Sequence, residues 1–139
     1  MLGWLQNLVR TPNASVGARG ERLAANFLRA RGYKILERNL PLGDDEADLV
    51  ALDPDEKTIV IVEVKTREAK DGDSGGASTP ELAVTRTKQF HISRLAARLQ
   101  QAPRYKDHPF RFDVVAVVMN STGSEPTIRH IPGAFQSPW

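Results

Sequence analysis

The spacing of apolar positions changes several times along the chain, and each change marks an element. From Ser15 to Arg31, Val16, Gly20, Leu23, Ala24, Phe27 and Leu28 recur at three- and four-residue intervals, and Gly32 follows as a stop. This predicts an amphipathic helix. Tyr33 to Arg38 alternates apolar Tyr33 and Ile35 with polar Lys34 and Glu37, which predicts a strand ended by Pro41 and Gly43. Two stronger strands follow, Ala47 to Leu52 and Thr58 to Lys65, the second built on the β-branched run Ile59-Val60-Ile61-Val62. Asp53 to Lys57 between them reads as a hairpin connection. From Glu68 to Thr79 the chain turns to Gly, Ser, Ala and Asp without periodicity, the pattern of an exposed mobile loop. Thr79-Pro80-Glu81 then reads as a cap and a first-turn proline, starting a helix that runs to about Gln101. Arg111 to Val118 is an apolar strand buried on both faces, and Thr127 to Ile131 a weaker last one. The order predicts an α/β fold, a mixed β-sheet of about five strands with helices packed against it.

A length of 139 residues suits one domain over 1–139, with 1–14 as an N-terminal extension, 68–79 as the loop and 119–139 as a last strand and tail. Hydrophobic residues at 40 % and charged ones at 26 % exclude a disordered, collagen-like or membrane chain. Met1 to Arg10 is apolar at Leu2, Trp4, Leu5, Leu8 and Val9, too short to span a bilayer and without the basic start of a signal peptide. The reading is a short amphipathic helix docked on the body or a partner, in a cytoplasmic protein with no membrane partner. The absence of cysteine removes disulfides, thiolate zinc sites and cysteine nucleophiles together, so any metal takes oxygen or imidazole ligands.

The formal charge of +2 is a cancellation. Asp44 to Asp73 holds eleven acidic and four basic residues, a balance of −7, while the rest holds fifteen basic and six acidic, +9. By itself that pattern favours solvated helices around an acidic loop; the sharper reading is a cation site beside polyanion-binding surfaces.

The hairpin separates these readings further. If Asp53 pairs with Thr58, Asp48 lies across from Glu63 and Glu46 across from Lys65, and the period of two puts all four on one face with Val50, Leu52, Ile59 and Ile61. Ala47, Leu49, Val60, Val62 and Val64 then form the other face. Carboxylates directly opposed, with Cβ atoms about 5 Å apart, repel and need compensation. A hard divalent cation provides it, since Mg²⁺ takes one or two carboxylates with waters and substrate phosphates. A solvated tetrad of cross-strand charges without function fits the same spacing.

The residues that follow carry a resemblance. Asp48, fourteen residues, then Glu63-Val64-Lys65 matches the D…ExK signature of the PD-(D/E)xK nuclease superfamily. More closely, Gly17, Gly20-Glu21, Ala24-Ala25, Phe27-Leu28, Gly32-Tyr33, Ile35-Leu36, Asn39, Glu46, Asp48-Leu49-Val50-Ala51, Glu63-Val64-Lys65-Thr66-Arg67, Ala83-Val84, Lys88 and Arg111-Phe112-Asp113-Val114-Val115 resemble the YraN-like family of bacterial proteins, itself similar to archaeal Holliday-junction resolvases. The resemblance implies a restriction-endonuclease-like core in which Asp48, Glu63 and the Val64 carbonyl ligate Mg²⁺ or Mn²⁺. It implies that Lys65 positions or activates the attacking water and that Glu21, from the first helix, approaches the same site. Glu21 equally suits a surface ion pair with Arg22. Where the family has Gly-Glu-Ile-Asp-Leu this chain has Asp45-Glu46-Ala47-Asp48-Leu49, which crowds a third acid beside the site.

Arg22, Arg67 and Lys88 are candidate nucleic-acid contacts, whereas Arg94 and Arg98, four residues apart, read as a solvated helix face. His91, His108 and His130 lack metal-ligand spacing, and Gly72, Gly75 and Gly76 lack the ending of a phosphate-binding loop. The expected function is metal-dependent endonuclease action on structured or branched DNA, DNA rather than RNA, by a possible homodimer, since a resolvase acts on two strands. The alternatives are a nucleic-acid-binding module that keeps the nuclease fold and cleaves nothing, and an interaction protein dimerising through its N-terminus.

Overall fold

The computed structural model describes residues 12–43, 45–69, 82–120 and 125–136. The first helical period becomes α1 (Pro12–Ala30), which begins three residues before the apolar spacing alone marks it. Proline at the first turn loses no intrahelical hydrogen bond, and Gly32 ends the helix at φ +90°, a conformation that a side chain resists. Residues 1–11, most of the expected extension, lie outside the described residues.

Five strands form one sheet in the order β1 (Lys34–Leu42), β2 (Asp45–Leu52), β3 (Ile59–Glu68), β4 (Phe110–Met119), β5 (Thr127–Phe135). Neighbours are antiparallel except β3 and β4, which are parallel. A parallel pair needs a long crossover, and helix α2 (Arg86–Leu99) lies within it. The result is a mixed α/β sheet flanked by two helices, as expected of a restriction-endonuclease-like core. On one face Ala24, Ala25 and Leu28 of α1 pack with Leu49, Val60, Val62, Val115 and Val117. On the other, Ile92, Leu95 and Ala96 of α2 pack with Val50, Ile59, Ile61 and Phe112. Ile59 to Val62 is therefore buried on both sides, at roughly 1.5–3 kcal/mol of transfer energy per side chain.

Several boundaries differ from the sequence reading. β1 runs on through Pro41, which pairs with Glu46; it is the sheet's edge strand, where a missing N–H costs little. β3 extends to Glu68, and 70–79 of the expected loop lies outside the described residues. The second helix does not run on from Thr79-Pro80-Glu81, itself outside them. Ala83 to Thr85 is not helical, and Thr85 is the N-cap, its Oγ1 accepting the Lys88 N–H at 3.1 Å. The last strand reaches Phe135, whose ring stacks on Phe112 at 4.7 Å between centroids.

A polar network ties the far end together. The buried Asp113 carboxylate accepts two bonds from Arg111, at 2.9 Å each, and one from the Gly133 N–H at 3.0 Å, and lies 2.7 Å from His130 Nε2. Arg111 also reaches Asp53 at 2.8 Å and donates to the Tyr33 hydroxyl at 2.9 Å. Residues before β1, after β2 and in β4 and β5 are thus joined through one guanidinium and one carboxylate.

Candidate metal centre

The hairpin register is the predicted one: Asp53 N–H donates to the Thr58 carbonyl at 2.9 Å, and Leu52, Ala51, Val50 and Leu49 pair with Ile59, Val60, Ile61 and Val62. The ladder runs no further than Leu49 and Val62. Beyond that point Glu46 pairs with Pro41 on β1, and Lys65 with Ala116 on β4, so β2 and β3 part like the arms of a fork. Glu46 and Lys65 are not a cross-strand pair, contrary to the sequence reading. Alternation predicts Ala47 and Val64 as the next hydrogen-bonded pair. The Val64 N–H donates instead to Asp48 Oδ2 at 2.7 Å. A carboxylate has replaced the ladder carbonyl, and Asp48 and Glu63 are the first residue of each arm.

The alternation of faces breaks at the same place. Ala47 packs in the α2-side cluster with Val50, although strict period two puts it beside Leu49 on the α1 side. The single charged face expected for Glu46, Asp48, Glu63 and Lys65 is therefore divided at the fork. Across from Asp48 on β1, between the pairs Arg38–Leu49 and Leu40–Ala47, Asn39 adopts φ +53°, a left-handed conformation that asparagine tolerates better than most residues.

Donor oxygens of Glu21, Glu46 and Asp48 lie within 4.8 Å of one another, on α1 and β2. Gly20 is what lets α1 come this close. A Cβ there would fall 1.9 Å from Thr66 Oγ1 and 2.7 Å from Thr66 Cβ, so the helix lies directly against β3 and carries Glu21 to the arms. Asn39 joins two of the acids: with its amide nitrogen turned toward them, the orientation that sets donors against acceptors, it donates to Glu46 Oε1 at 3.0 Å and Glu21 Oε2 at 3.2 Å. Periodicity gives no hint of this asparagine; its place among the residues of the family resemblance is the only signal.

The cations come from the other side. Lys88, in the first turn of α2, donates to the Glu46 carbonyl at 2.8 Å and lies 3.4 Å from Glu63 Oε2, so it spans the two arms. The sequence reading turns Lys88 toward phosphate, whereas its ammonium is inside the centre. Glu63 is turned to this lysine and is not one of the three clustered acids. Lys65 Nζ donates to the Ala83 carbonyl at 2.6 Å, in the non-helical stretch before α2. Arg67 is half-buried, with Nη1 3.3 Å from the Glu68 carbonyl, and Arg22 is exposed on α1 beside Glu21.

Burial first, then the neighbouring Glu63, pushes the Asp48 carboxyl up to about 7; the Val64 N–H and Lys88 pull the other way without prevailing. The Glu21 carboxyl is raised too, by burial and then by Asp48 and Glu46. Burial and neighbouring carboxylates thus both disfavour the ionised form of these two acids. The donors are all oxygen, the set that hard divalent cations select over softer metals. The residues fit such an ion.

The sequence profile of the uncharacterised protein family UPF0102 matches residues 20–117, the span that holds most of α1, the fork and most of β4. A UPF0102 protein of Geobacter metallireducens is 45 % identical over 124 residues, 89 % of this chain and 94 % of the relative. One from Trichlorobacter lovleyi is 44 % identical over 128 residues, 92 % of this chain and 95 % of the relative. A third, from Caldicellulosiruptor saccharolyticus, is 40 % identical over 120 residues, 86 % and 96 % of the two chains.

Proposed function

The chain belongs to the uncharacterised protein family UPF0102, the YraN-like proteins, and from that premise and the forked acidic centre we propose a metal-dependent nuclease that hydrolyses phosphodiester bonds in structured or branched nucleic acid, DNA before RNA. The observation that supports it is the convergence of Glu21, Glu46 and Asp48 within 4.8 Å, beside Glu63 and the Lys88 ammonium that faces it. Such a group is costly to assemble, because Asp48 has lost most of its solvent and stands among other acids. Asp48 would hold Mg²⁺ or Mn²⁺, with Glu21 and Glu46 from the observed cluster and Glu63 and the Val64 carbonyl from the signature. When bound, the cation lowers the pKa of a ligated water and polarises the scissile phosphate.

The protein's own residues do the rest. The Val64 N–H fixes one oxygen of Asp48, leaving Oδ1 to bind. Asn39 spaces Glu21 from Glu46. Lys88 keeps the arms of the fork together and neutralises Glu63. Lys65, whose ammonium donates to the Ala83 carbonyl, is the lysine that the nuclease signature assigns to orienting water and stabilising charge developing on the phosphate.

The test is cleavage of labelled duplex, single-stranded and four-way-junction DNA, and of matched RNA, by the full chain with Mn²⁺ or Mg²⁺. Asp48→Ala and Lys65→Ala are expected to lose at least about a hundredfold in rate while still binding. Cleavage that persists in both variants overturns the assignment. Binding without cleavage under every condition supports the non-catalytic module instead.

A further inference from the structure

Lys88 begins a line of basic side chains on α2. His91, Arg94 and Arg98 follow it at intervals of three, three and four residues, the spacing of one helical face. At 1.5 Å per residue the line runs about 15 Å from the acidic centre to Arg98. Beside it lies a cavity of about 360 Å³ lined by His91, Arg94, Arg98 and, from the β1–β2 turn, Gly43. No carboxylate of the described residues lines it.

We propose that this cavity and helix face bind the sugar-phosphate backbone of a nucleic-acid strand on its way to the fork, an inference that rests on the function proposed above. Three observations carry it. Arg94 and Arg98 are exposed, and neither side chain makes an ion pair or hydrogen bond among the described residues, unlike those of Lys88 and Arg111, which are held by partners. Like charges four residues apart on a helix repel, so the pair is unfavourable in the free protein and is relieved by an anion. His91 Nδ1 is buried and has no hydrogen-bond partner among the described residues, leaving an imidazole whose polar capacity is unmet. Finally, the acidic centre repels phosphate, so a polyanion reaches it only if cations lead there. A line of about 15 Å matches about four phosphates of a strand that carries one charge per 3.4 Å. The Arg94–Arg98 stripe, a solvated face by spacing alone, gains a wall and a direction from the fold.

The experiment measures binding of a fluorescein-labelled oligonucleotide to the full chain by anisotropy, in EDTA so that nothing is cleaved, across a series of NaCl concentrations. Arg94→Gln/Arg98→Gln is expected to weaken binding at least tenfold and to flatten the slope of log K against log salt by about 1.4–1.8, from 0.7–0.9 for each lost phosphate contact. Arg94→Lys/Arg98→Lys is expected to keep most of the slope. Arg29→Gln/Arg31→Gln removes the same charge from the end of α1 and is expected to leave affinity within twofold. An unchanged slope in the first variant, an equal loss in the α1 control, or displacement by polyglutamate as efficient as by unlabelled oligonucleotide overturns the proposal. Its failure is separable from that of the nuclease reading. Manganese-dependent cleavage with an unaltered KM in the Arg94/Arg98 variant removes this site and keeps the nuclease; stripe-dependent binding without cleavage does the reverse. A wild-type chain that binds no oligonucleotide removes both.

Discussion

Asp48 is 9 % exposed, accepts the Val64 N–H and stands among other carboxylates, and burial has moved its proton affinity to about pH 7. A carboxyl that is raised on folding takes up a proton, so its favourable contribution is complete below the ordinary carboxylate range and is lost as pH rises from about 4 through 7. We therefore expect the metal-free protein to lose stability over that interval. Asp48→Asn keeps an acceptor for the Val64 N–H and removes the charge. It is expected to melt above the wild type at pH 8 but not at pH 5, in a thermal melt followed by circular dichroism. A lower melting point at both values would show that the carboxylate is not a burden. Mn²⁺ at pH 8 is expected to raise the melting point of the wild type, because binding to the folded state alone stabilises it, and to leave Asp48→Asn unchanged.

Between elements, the contact that matters most to the centre is Gly20 of α1 against Thr66 of β3. Gly20→Ala forces helix and strand apart and is expected to cost about 1–3 kcal/mol. Because Glu21 moves with the helix, Mn²⁺ affinity measured by calorimetry is expected to fall as well. Gly17 is the control: it lies on the same helix, and a methyl group added there would have nothing within 4 Å. Gly17→Ala is expected to stabilise by up to about 1 kcal/mol on helix propensity alone, with metal binding untouched. If Gly20→Ala weakens stability and metal binding no more than Gly17→Ala, the close approach does not position Glu21. The non-helical break before α2 has a comparable role. Helix through Ala83 to Thr85 would engage the Ala83 carbonyl and move the Thr85 cap; the observed break supplies Lys65 with an acceptor and starts Lys88 at the fork.

At the scale of the molecule, the centre and the Arg111–Asp113 network act on stability in opposite directions with pH. Burial alone would raise Asp113, but bonds from Arg111, His130 and Gly133 outweigh it and hold its carboxyl below the usual range. A lowered carboxyl contributes stability above its unfolded pKa and loses it as pH falls. Stability of the metal-free chain is thus expected to peak in mildly acidic solution, limited in acid by Asp113 and toward neutrality by Asp48. Asp113→Asn leaves Arg111 without its bidentate partner and is expected to cost roughly 3–5 kcal/mol, read from urea unfolding near pH 6. A loss below about 1 kcal/mol, the usual net worth of one hydrogen bond, would mean that Asp53 and Tyr33 suffice to hold the guanidinium.

Most properties that depend on neighbours along the chain were legible in the sequence, the start of the second helix being the exception. Hydrophobic period and turn chemistry marked five strands and two helices, and the Asp53–Thr58 turn determined the hairpin register, because pairing propagates two residues at a time from a closed turn. The same register carries the chain to Leu49 and Val62 and so brings Asp48 and Glu63 to the start of the two arms, although they do not pair in the ladder. Tertiary structure decided what happens where that propagation stops. Only β1 and β4, drawing away the ends of β2 and β3, open the fork, divide the charged face and free the Val64 N–H for Asp48. Only the Gly20–Thr66 contact, the left-handed Asn39 and the first turn of α2 choose which acids gather and which lysine faces Glu63. These choices join residues far apart along the chain, Gly20 with Thr66 and Lys88 with the Glu46 carbonyl, and they are made by packing of whole elements, which no local spacing records.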